Sequence, residues 1–243
     1  MNLTGHTVLI TGGTSGIGGA LAERMLARGN TVLICGRDAG KLEATARKHP
    51  GIHTQICDTG DERSRVELFR WATSEFPAVN VLINCAGIQR KVDLVDPEPW
   101  QDTRYEIAVN LDGPIHLSSL FIPHLVAQRE PAIMNVSSGL AFTPLARVPV
   151  YSATKAALHS YTLSLRHQLA ATAIRVVEII PPAVRTNLGG SHDFGVELAE
   201  YADSVLAQLA EGRLETTYDF SARSSQASRA ELDQMFARMN SGA

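Results

Sequence analysis

Six short segments of this chain are apolar almost throughout, and longer amphipathic segments separate them. The apolar segments are rich in Val and Ile and cover residues 7–11, 31–35, 52–57, 79–84, 132–137 and 174–180. A strand that is apolar on both faces must be covered on both faces, as in a parallel sheet between two layers of helices. The pattern therefore predicts a doubly wound α/β fold with a parallel sheet.

The amphipathic segments are long enough to cross from one parallel strand to the next. Helical periodicity covers residues 16–28, 38–48, 61–75, 101–128, 150–171, 197–212 and about 228–239. A candidate for a short seventh strand is "LETTYDF" at 214–220. We expect one domain over residues 1–243, in which residues 187–243 form a lid on the substrate side and the C-terminal helices.

Composition excludes several classes of protein. Hydrophobic residues make up 44% and charged residues 19%, which indicates a globular chain rather than a disordered or membrane-embedded one. The net charge is −3 and the basic residues are scattered, so no nucleic-acid partner is expected. Three cysteines without metal-ligand spacing predict neither a disulfide framework nor a metal site. The absence of a signal-like N-terminus or a long apolar segment predicts a cytoplasmic protein with no membrane partner.

A glycine-rich loop, "TGGTSGIGG" at 11–19, follows the first predicted strand and opens the first predicted helix. Gly12, Gly16 and Gly18 give the spacing G-x-x-x-G-x-G. Such a loop can bring backbone and a helix N-terminus against a pyrophosphate, as in Rossmann-type folds. A plain strand-to-helix turn is the alternative.

The end of the second predicted strand, "CGRD", is where a dinucleotide's 2′ position would be recognised. Gly36 stands where an acid would bind the ribose of NAD, and Arg37 follows. We therefore expect NADP(H) in preference to NAD(H). The alternative is that Arg37 is a solvated charge at the sheet edge, next to Asp38, which dilutes the positive field.

Four further stretches occur in order after the glycine loop: "NCAG" at 84–87, "NLDG" at 110–113, "NVSSG" at 135–139 and "YSATK" at 151–155. With the loop they resemble the motifs of the short-chain dehydrogenase/reductase family, including its spacing between Ser138 and Tyr151. The resemblance covers about residues 5–188.

The resemblance implies an active-site tetrad of Asn110, Ser138, Tyr151 and Lys155. Tyr151 and Lys155 are four residues apart and share a helical face. A phenol has a pKa of about 10, and a nearby ammonium lowers it, so Tyr151 is expected to act as general acid or base. Ser138 is expected to stabilise charge on the substrate oxygen, Lys155 to bind the nicotinamide ribose, and Asn110 to anchor a water.

The resemblance also implies which residues contact the cofactor and the substrate. The expected cofactor contacts are Gly12, Thr14, Ser15, Gly16, Ile17, Gly18, Arg37, Asp58, Thr59, Asn84, Ala86, Gly87, Tyr151, Lys155, Pro181, Val184 and Thr186. The expected substrate contacts are Gln89, Ser138, Leu140 and Pro182. For Asp58 the alternative is an N-cap of the following helix, and both roles are compatible.

The chain departs from the family pattern after the sixth strand. The family's P-G-x-V-x-T is here "PPAVRT" at 181–186, so that Pro182 replaces a glycine and fixes φ. The double proline and the shortened C-terminal end resemble a bacterial subgroup named after the oxidoreductase of the D-alanyl-lipoteichoic-acid operon. This likeness identifies no substrate.

The favoured function is hydride transfer between NADP(H) and the carbonyl or secondary alcohol of a small, moderately hydrophobic molecule. A catalytically silent nucleotide-binding regulator and a hydrolase using Ser138 remain alternatives. A homodimer or homotetramer is expected, through the helices at 101–128 and 150–171. The glycines of the loop after Thr186 are expected to let it close over the substrate.

Overall fold

A seven-stranded parallel sheet forms the centre of the protein. The computed structural model describes residues 2–96, 99–190 and 194–241. The strands are β1 (Thr7–Thr11), β2 (Thr31–Gly36), β3 (Ile52–Ile56), β4 (Val79–Asn84), β5 (Ala132–Val136), β6 (Arg175–Ile180) and β7 (Glu215–Thr217). Their order across the sheet is β3-β2-β1-β4-β5-β6-β7, with parallel neighbours throughout. The predicted doubly wound, Rossmann-type fold is confirmed, and its crevice for ligands lies where β1 and β4 separate the two halves.

Helices cover both faces of the sheet. They are α1 (Gly16–Ala27), α2 (Ala39–Lys48), α3 (Glu62–Glu75), α4 (Trp100–Ile107), α5 (Gly113–Leu125), α6 (Pro149–Gln168), α7 (Leu198–Ala210), α8 (Phe220–Ser224) and α9 (Arg229–Met239). Local sequence starts several of them. Asp38 caps α2 by accepting a hydrogen bond from the Lys41 amide, and Asp61 caps α3 in the same way from Ser64.

Alternation along the strands divides the core into two layers. In β1, Val8 and Ile10 point to the layer that contains α1 and α7, whereas Leu9 points to the layer that contains α3, α5 and α6. Because successive strand residues face opposite sides, apolar runs are needed to fill both layers. This explains why the central strands lack the polar alternation of a half-exposed sheet.

The segment predicted as one helix at 101–128 is interrupted. Between α4 and α5 lies a π-helical turn, Ala108–Asp112, in which the Gly113 amide donates to the Ala108 carbonyl. Pro114 follows, and because proline has no N–H it cannot donate to the carbonyl of Asn110, four residues earlier. The turn therefore sets Asn110 in a distorted part of the helix, as π-bulges often do at functional sites.

The C-terminal segment divides into parts with different surroundings. Helix α7, which lies in the segment expected to form the lid and the C-terminal helices, packs on the sheet, where Tyr201, Val205 and Leu209 are buried in the core. The loop before it is joined at its base, because Val184 pairs with Val196. Residues 191–193 of the expected lid lie outside the described residues. Over the parts of the chain that the structure describes, no helix combines the length and apolarity required to cross a membrane.

Candidate active site

The glycine loop between β1 and α1 is a surface made of backbone. Gly12 has a φ of +68°, and a Cβ there would lie 2.9 Å from the Ala86 Cα atom. A Cβ on Gly18 would lie 2.5 Å from the Gly12 carbonyl oxygen. Helix α1 begins at Gly16, and the side chain of its N-cap, Ser15, makes no capping hydrogen bond. Close packing without side chains, next to a helix N-terminus, fits the pyrophosphate of a dinucleotide.

Thr11 joins the glycine loop to the neighbouring strand end, a role that sequence reasoning did not assign. Its hydroxyl oxygen accepts hydrogen bonds from the amides of Cys85 and Ala86, at 2.9 and 3.0 Å. The predicted contact Ala86 is thereby placed beside Gly12. A polar residue at the end of an otherwise apolar strand was the available signal.

The expected adenosine end contains a cluster centred on Tyr105, which sequence reasoning also missed. The Tyr105 hydroxyl donates to the two carboxylate oxygens of Asp58, at 3.0 and 2.8 Å. The Arg37 guanidinium donates to the same hydroxyl and lies 5.4 Å from the Tyr105 ring centroid. Asp58 accepts from the Gly60 amide at 2.9 Å and does not cap α3, which Asp61 does. Arg37 and Asp58, both predicted from sequence, are thus brought together.

Not every predicted cofactor residue presents its side chain at this surface. Asn84 is buried and donates to Asn135 at 2.9 Å and to Ser118 at 3.3 Å, so its side chain is directed into the interior. Thr59 is also buried, and its carbonyl accepts from Arg65 at 2.7 Å. Thr14 lies next to Gly36, and Ile17 packs against the hydrophobic core. At the end of β6, the Pro181 carbonyl accepts a hydrogen bond from the Gly139 amide, and Thr186 lies beside Gly16.

Three members of the predicted tetrad meet where β5 ends and α6 begins. Tyr151 and Lys155 are both buried on one face of α6, with the Lys155 Nζ 5.5 Å from the Tyr151 ring centroid. The Lys155 ammonium donates to the Val136 carbonyl at 2.7 Å. Ser138, two residues further, accepts a hydrogen bond from the Leu140 amide at 3.1 Å, and its side chain is near enough to Tyr151 to influence the pKa of that phenol.

The protonation of this group differs from the expectation that Lys155 acidifies Tyr151. Burial raises the pKa of Tyr151 above its ordinary value, and the neighbouring Ser138 side chain opposes this only in part. Burial lowers the pKa of Lys155 to about 8, against the opposing influences of Cys85 and Glu178. In the protein chain alone Tyr151 is therefore a phenol that keeps its proton, because the cost of burying the phenolate exceeds the local stabilisation.

Asn110, the fourth member of the predicted tetrad, is hydrogen-bonded to the backbone of the segment that follows β4. Its side chain accepts from the Ile88 amide at 2.9 Å and donates to the Ile88 carbonyl at 2.8 Å and to Thr154 at 3.3 Å. A Cβ on Gly87 would lie 3.4 Å from Asn110 Oδ1 and 3.7 Å from Lys155 Nζ. The side-chain amide of Asn110 is thus engaged with protein, and its role in anchoring a water stays a prediction.

The expected substrate contacts Gln89, Leu140 and Pro182 lie in the segments that follow the ends of β4, β5 and β6. A Cβ on Gly189 would come within 2.5 Å of Gln89 Oε1, so the loop after Thr186 reaches Gln89. Leu140 is half-buried next to Ser138, and Pro182 is half-buried after Pro181. Pro182 is not among the residues with positive φ. Its ring therefore stiffens this wall without requiring a left-handed backbone.

Two buried carboxyl groups near the tetrad escaped sequence reasoning. Glu106 in α4 raises the pKa of Tyr151, and Glu178 in β6 is fully buried. Glu178 had a signal, since it is a lone acid in the apolar run "RVVEII". Within residues 2–96, 99–190 and 194–241 there is no group of three His, Cys, Asp or Glu side chains arranged to hold a metal ion.

Comparison with known proteins places this architecture in a family. The sequence profile described as short chain dehydrogenase matches residues 6–193. The chain belongs to the short-chain dehydrogenase family. It is 46% identical to the protein named "Uncharacterized oxidoreductase DltE" of Bacillus subtilis (strain 168), over 99% of this chain and 98% of that protein.

Solved structures of short-chain dehydrogenases share the fold. One, a short chain dehydrogenase from Burkholderia cenocepacia J2315 in complex with NADP, is 26% identical with a TM-score of 0.85, covering 98% of this chain and 99% of that chain. Another, the 3-ketoacyl-(acyl-carrier-protein) reductase from Brucella melitensis complexed with NADH, is 27% identical with a TM-score of 0.82, covering 90% and 100%. The chain therefore has the fold of an oxidoreductase of the short-chain dehydrogenase family.

Proposed function

We propose that this protein transfers a hydride between NADP(H) and the carbonyl or secondary alcohol of a small, moderately hydrophobic substrate, with Tyr151 as general acid and base. The observation that carries the proposal is the convergence of Ser138, Tyr151 and Lys155 at the strand ends, beside a glycine surface that fits a pyrophosphate. Similar proteins bound to NADP or NADH support a nicotinamide dinucleotide as the cofactor.

The chain's own residues account for the proton transfer. The nicotinamide ring, when bound, supplies or accepts the hydride. In reduction, the Tyr151 hydroxyl donates its proton to the substrate oxygen, and in oxidation it takes that proton back. Ser138 donates a hydrogen bond to the same oxygen and stabilises its developing charge. The raised pKa of Tyr151 keeps the proton available for donation, and the Lys155 ammonium, 5.5 Å from the ring centroid, would stabilise the phenolate left behind.

The preference for NADP(H) rests on Arg37. Its exposed guanidinium is oriented by Tyr105, and no acid replaces Gly36 at the strand end. Asp38 accepts from the Lys41 amide at 3.0 Å, so its carboxylate is engaged at the start of α2. An arginine held in this way can bind a 2′-phosphate, which a carboxylate at Gly36 would repel.

The substrate side is proposed from its apolar lining. Leu140, Phe142, Pro182 and Leu188, which follow β5 or β6 in sequence, are half-buried, and this composition suits a moderately hydrophobic carbonyl compound. Closure of the loop after Thr186 would exclude water, with the Val184 and Val196 pairing as its fixed base. Assembly as a homodimer or homotetramer is proposed through the helices at 101–128 and 150–171, where α4 and α6 share an apolar groove.

The test compares Tyr151→Phe with the parent protein. A panel of ketones and alcohols is screened with NADPH, NADH and their oxidised forms, and the absorbance of the reduced ring is followed. We expect turnover with NADPH to exceed turnover with NADH, and Tyr151→Phe to lose about 10²- to 10⁴-fold in kcat. Nucleotide affinity, measured by calorimetry, should stay within about twofold of the parent, since the ring remains.

Different outcomes would overturn different parts of the proposal. Undiminished turnover by Tyr151→Phe would remove Tyr151 from catalysis. Ester cleavage that persists without any nucleotide would instead support a hydrolase using Ser138. A clear preference for NADH would refute the role given to Arg37.

A further inference from the structure

Glu178 is a buried acid in the middle of β6, and both of its carboxylate oxygens are hydrogen-bonded. The Ser137 hydroxyl donates to Oε1 at 2.5 Å, and His159 Nδ1 lies 2.8 Å from Oε2. Glu178 and Ser137 are fully buried, whereas the His159 side chain is 24% exposed. A buried carboxylate is costly unless it is paired and hydrogen-bonded, so these three residues form a unit, which we call the Glu178 bridge.

At one end of the Glu178 bridge, Ser137 fixes the segment directly after β5, which contains Ser138. Ser137 stands between Val136, whose carbonyl accepts from Lys155, and Ser138 itself. Its amide donates to the Ile179 carbonyl at 2.9 Å, while its hydroxyl donates to Glu178. The backbone on each side of Ser137 is therefore fixed to β6 by both a main-chain and a side-chain bond.

The other end of the bridge holds the helix that carries Tyr151 and Lys155. His159 follows Lys155 by four residues and Tyr151 by eight, so the three side chains lie along one face of α6. The Phe142 ring contacts His159 edge to face, with centroids 4.7 Å apart. Glu178 thus connects the two elements whose relative position sets the distance between Ser138 and the Tyr151–Lys155 pair.

Charges from three elements act on His159. Glu178 faces it from β6, Glu215 from β7 and Arg166 from its own helix. The hydrogen bond to Glu178 raises the pKa of His159, and burial opposes this. Glu178 also favours the charged form of Lys155, against the burial that lowers the pKa of that lysine to about 8.

We propose that the Glu178 bridge positions the residues of the active site and that the Glu178 anion keeps Lys155 charged. The protonation of His159 makes this stabilisation of the charged Lys155 dependent on pH. When His159 is protonated, its imidazolium offsets the field of Glu178 at Lys155. When His159 is neutral, the anion acts on Lys155 alone. The inference rests on the proposed function, because it assumes that a charged Lys155 assists Tyr151.

The test is Glu178→Gln, a substitution that keeps the side-chain size and removes the charge. Without the anion Lys155 should lose its proton at lower pH. We expect the basic limb of the kcat profile to move down by about one pH unit, so that kcat falls about fivefold at pH near 8 and less at pH near 6. KM for the nucleotide should stay within about twofold, since the bridge does not reach the glycine loop.

The matched control is Glu215→Gln, which removes an acid that also faces His159 but is 40% exposed and paired with Arg166. The basic limb of its profile should coincide with the parent's.

A readout independent of turnover is the titration of His159 by NMR, with its signal identified by loss in His159→Gln. In the parent protein His159 should titrate above the ordinary value of about 6.5, and in Glu178→Gln it should return toward that value. His159→Gln also serves if Glu178→Gln does not fold, because it should abolish an inflection on the acid limb of the kcat profile while keeping parent turnover near pH 8.

Unshifted profiles in both variants, or an equal loss of kcat at every pH, would overturn the proposal. Failure of the proposed function is distinguishable, because it would appear as undiminished turnover in Tyr151→Phe while the titration of His159 still responds to Glu178.

Discussion

The proposed nucleotide side and the proposed catalytic side of the candidate site differ in composition, since one is formed by backbone and the other by side chains. The surface at β1 and α1 consists of backbone that only glycine permits, with Gly12 and Gly18 packed too closely for a Cβ. The catalytic side consists of side chains from α6, the β5 exit and β6, each held by a partner distant in sequence. We therefore expect the glycine surface to tolerate almost no added side-chain volume. The proposed catalytic side should instead be sensitive to the loss of single polar groups.

Ser138→Ala tests the catalytic side and should have a larger effect than either substitution proposed below for the nucleotide side. Removal of the hydroxyl takes away a hydrogen bond to the substrate oxygen, and kcat should fall about 10²- to 10³-fold. NADPH affinity by calorimetry should not change. Ser152→Ala, a buried serine on the same helix as Tyr151, is the matched control and should keep most of the activity. Equal losses in the two variants would contradict a specific role for Ser138.

Gly18→Ala tests the nucleotide side. The new Cβ would lie 2.5 Å from the Gly12 carbonyl oxygen, so the loop must shift, and NADPH affinity should fall about 10- to 100-fold. Gly19→Ala is a close control, because its Cβ would lie 3.5 Å from the Gly13 carbonyl oxygen, an ordinary contact. That variant should bind NADPH normally and gain about 0.5–1 kcal/mol of stability from the helix interior. Equal binding by both variants would show that the close packing is not required.

Tyr105→Phe should have the smallest effect and sharpens the comparison, since it removes one side-chain group from the nucleotide side. Without its hydroxyl, Arg37 and Asp58 lose their common partner, and NADPH affinity should fall about 3- to 10-fold with a smaller change for NADH. Tyr218→Phe removes a hydroxyl that bonds Glu200 instead and should change neither affinity. A loss shared equally by NADPH and NADH would argue against recognition of a 2′-phosphate through Arg37.

Much of the fold could be predicted because it depends on contiguous residues. The six apolar runs became strands within about a residue of their expected ends, and "LETTYDF" contains the short β7. The break of the 101–128 helix at Asn110 was not predicted, because hydrophobic periodicity does not report a change in hydrogen-bond spacing. Pro114, which cannot donate to Asn110, was the signal that periodicity overlooked.

For the site, the sequence by itself determined which residue types stand at the strand ends and in what order. Glycine where backbone must approach backbone, and Tyr151 four residues before Lys155, are local properties that letters and spacing reveal. Only the tertiary structure decided that Tyr105 joins Arg37 to Asp58, that Asn110 bonds Ile88, and that Glu178 links Ser137 to His159. These bonds span between 19 and 68 residues of sequence, and they form because packing of the sheet and its helices brings their partners together.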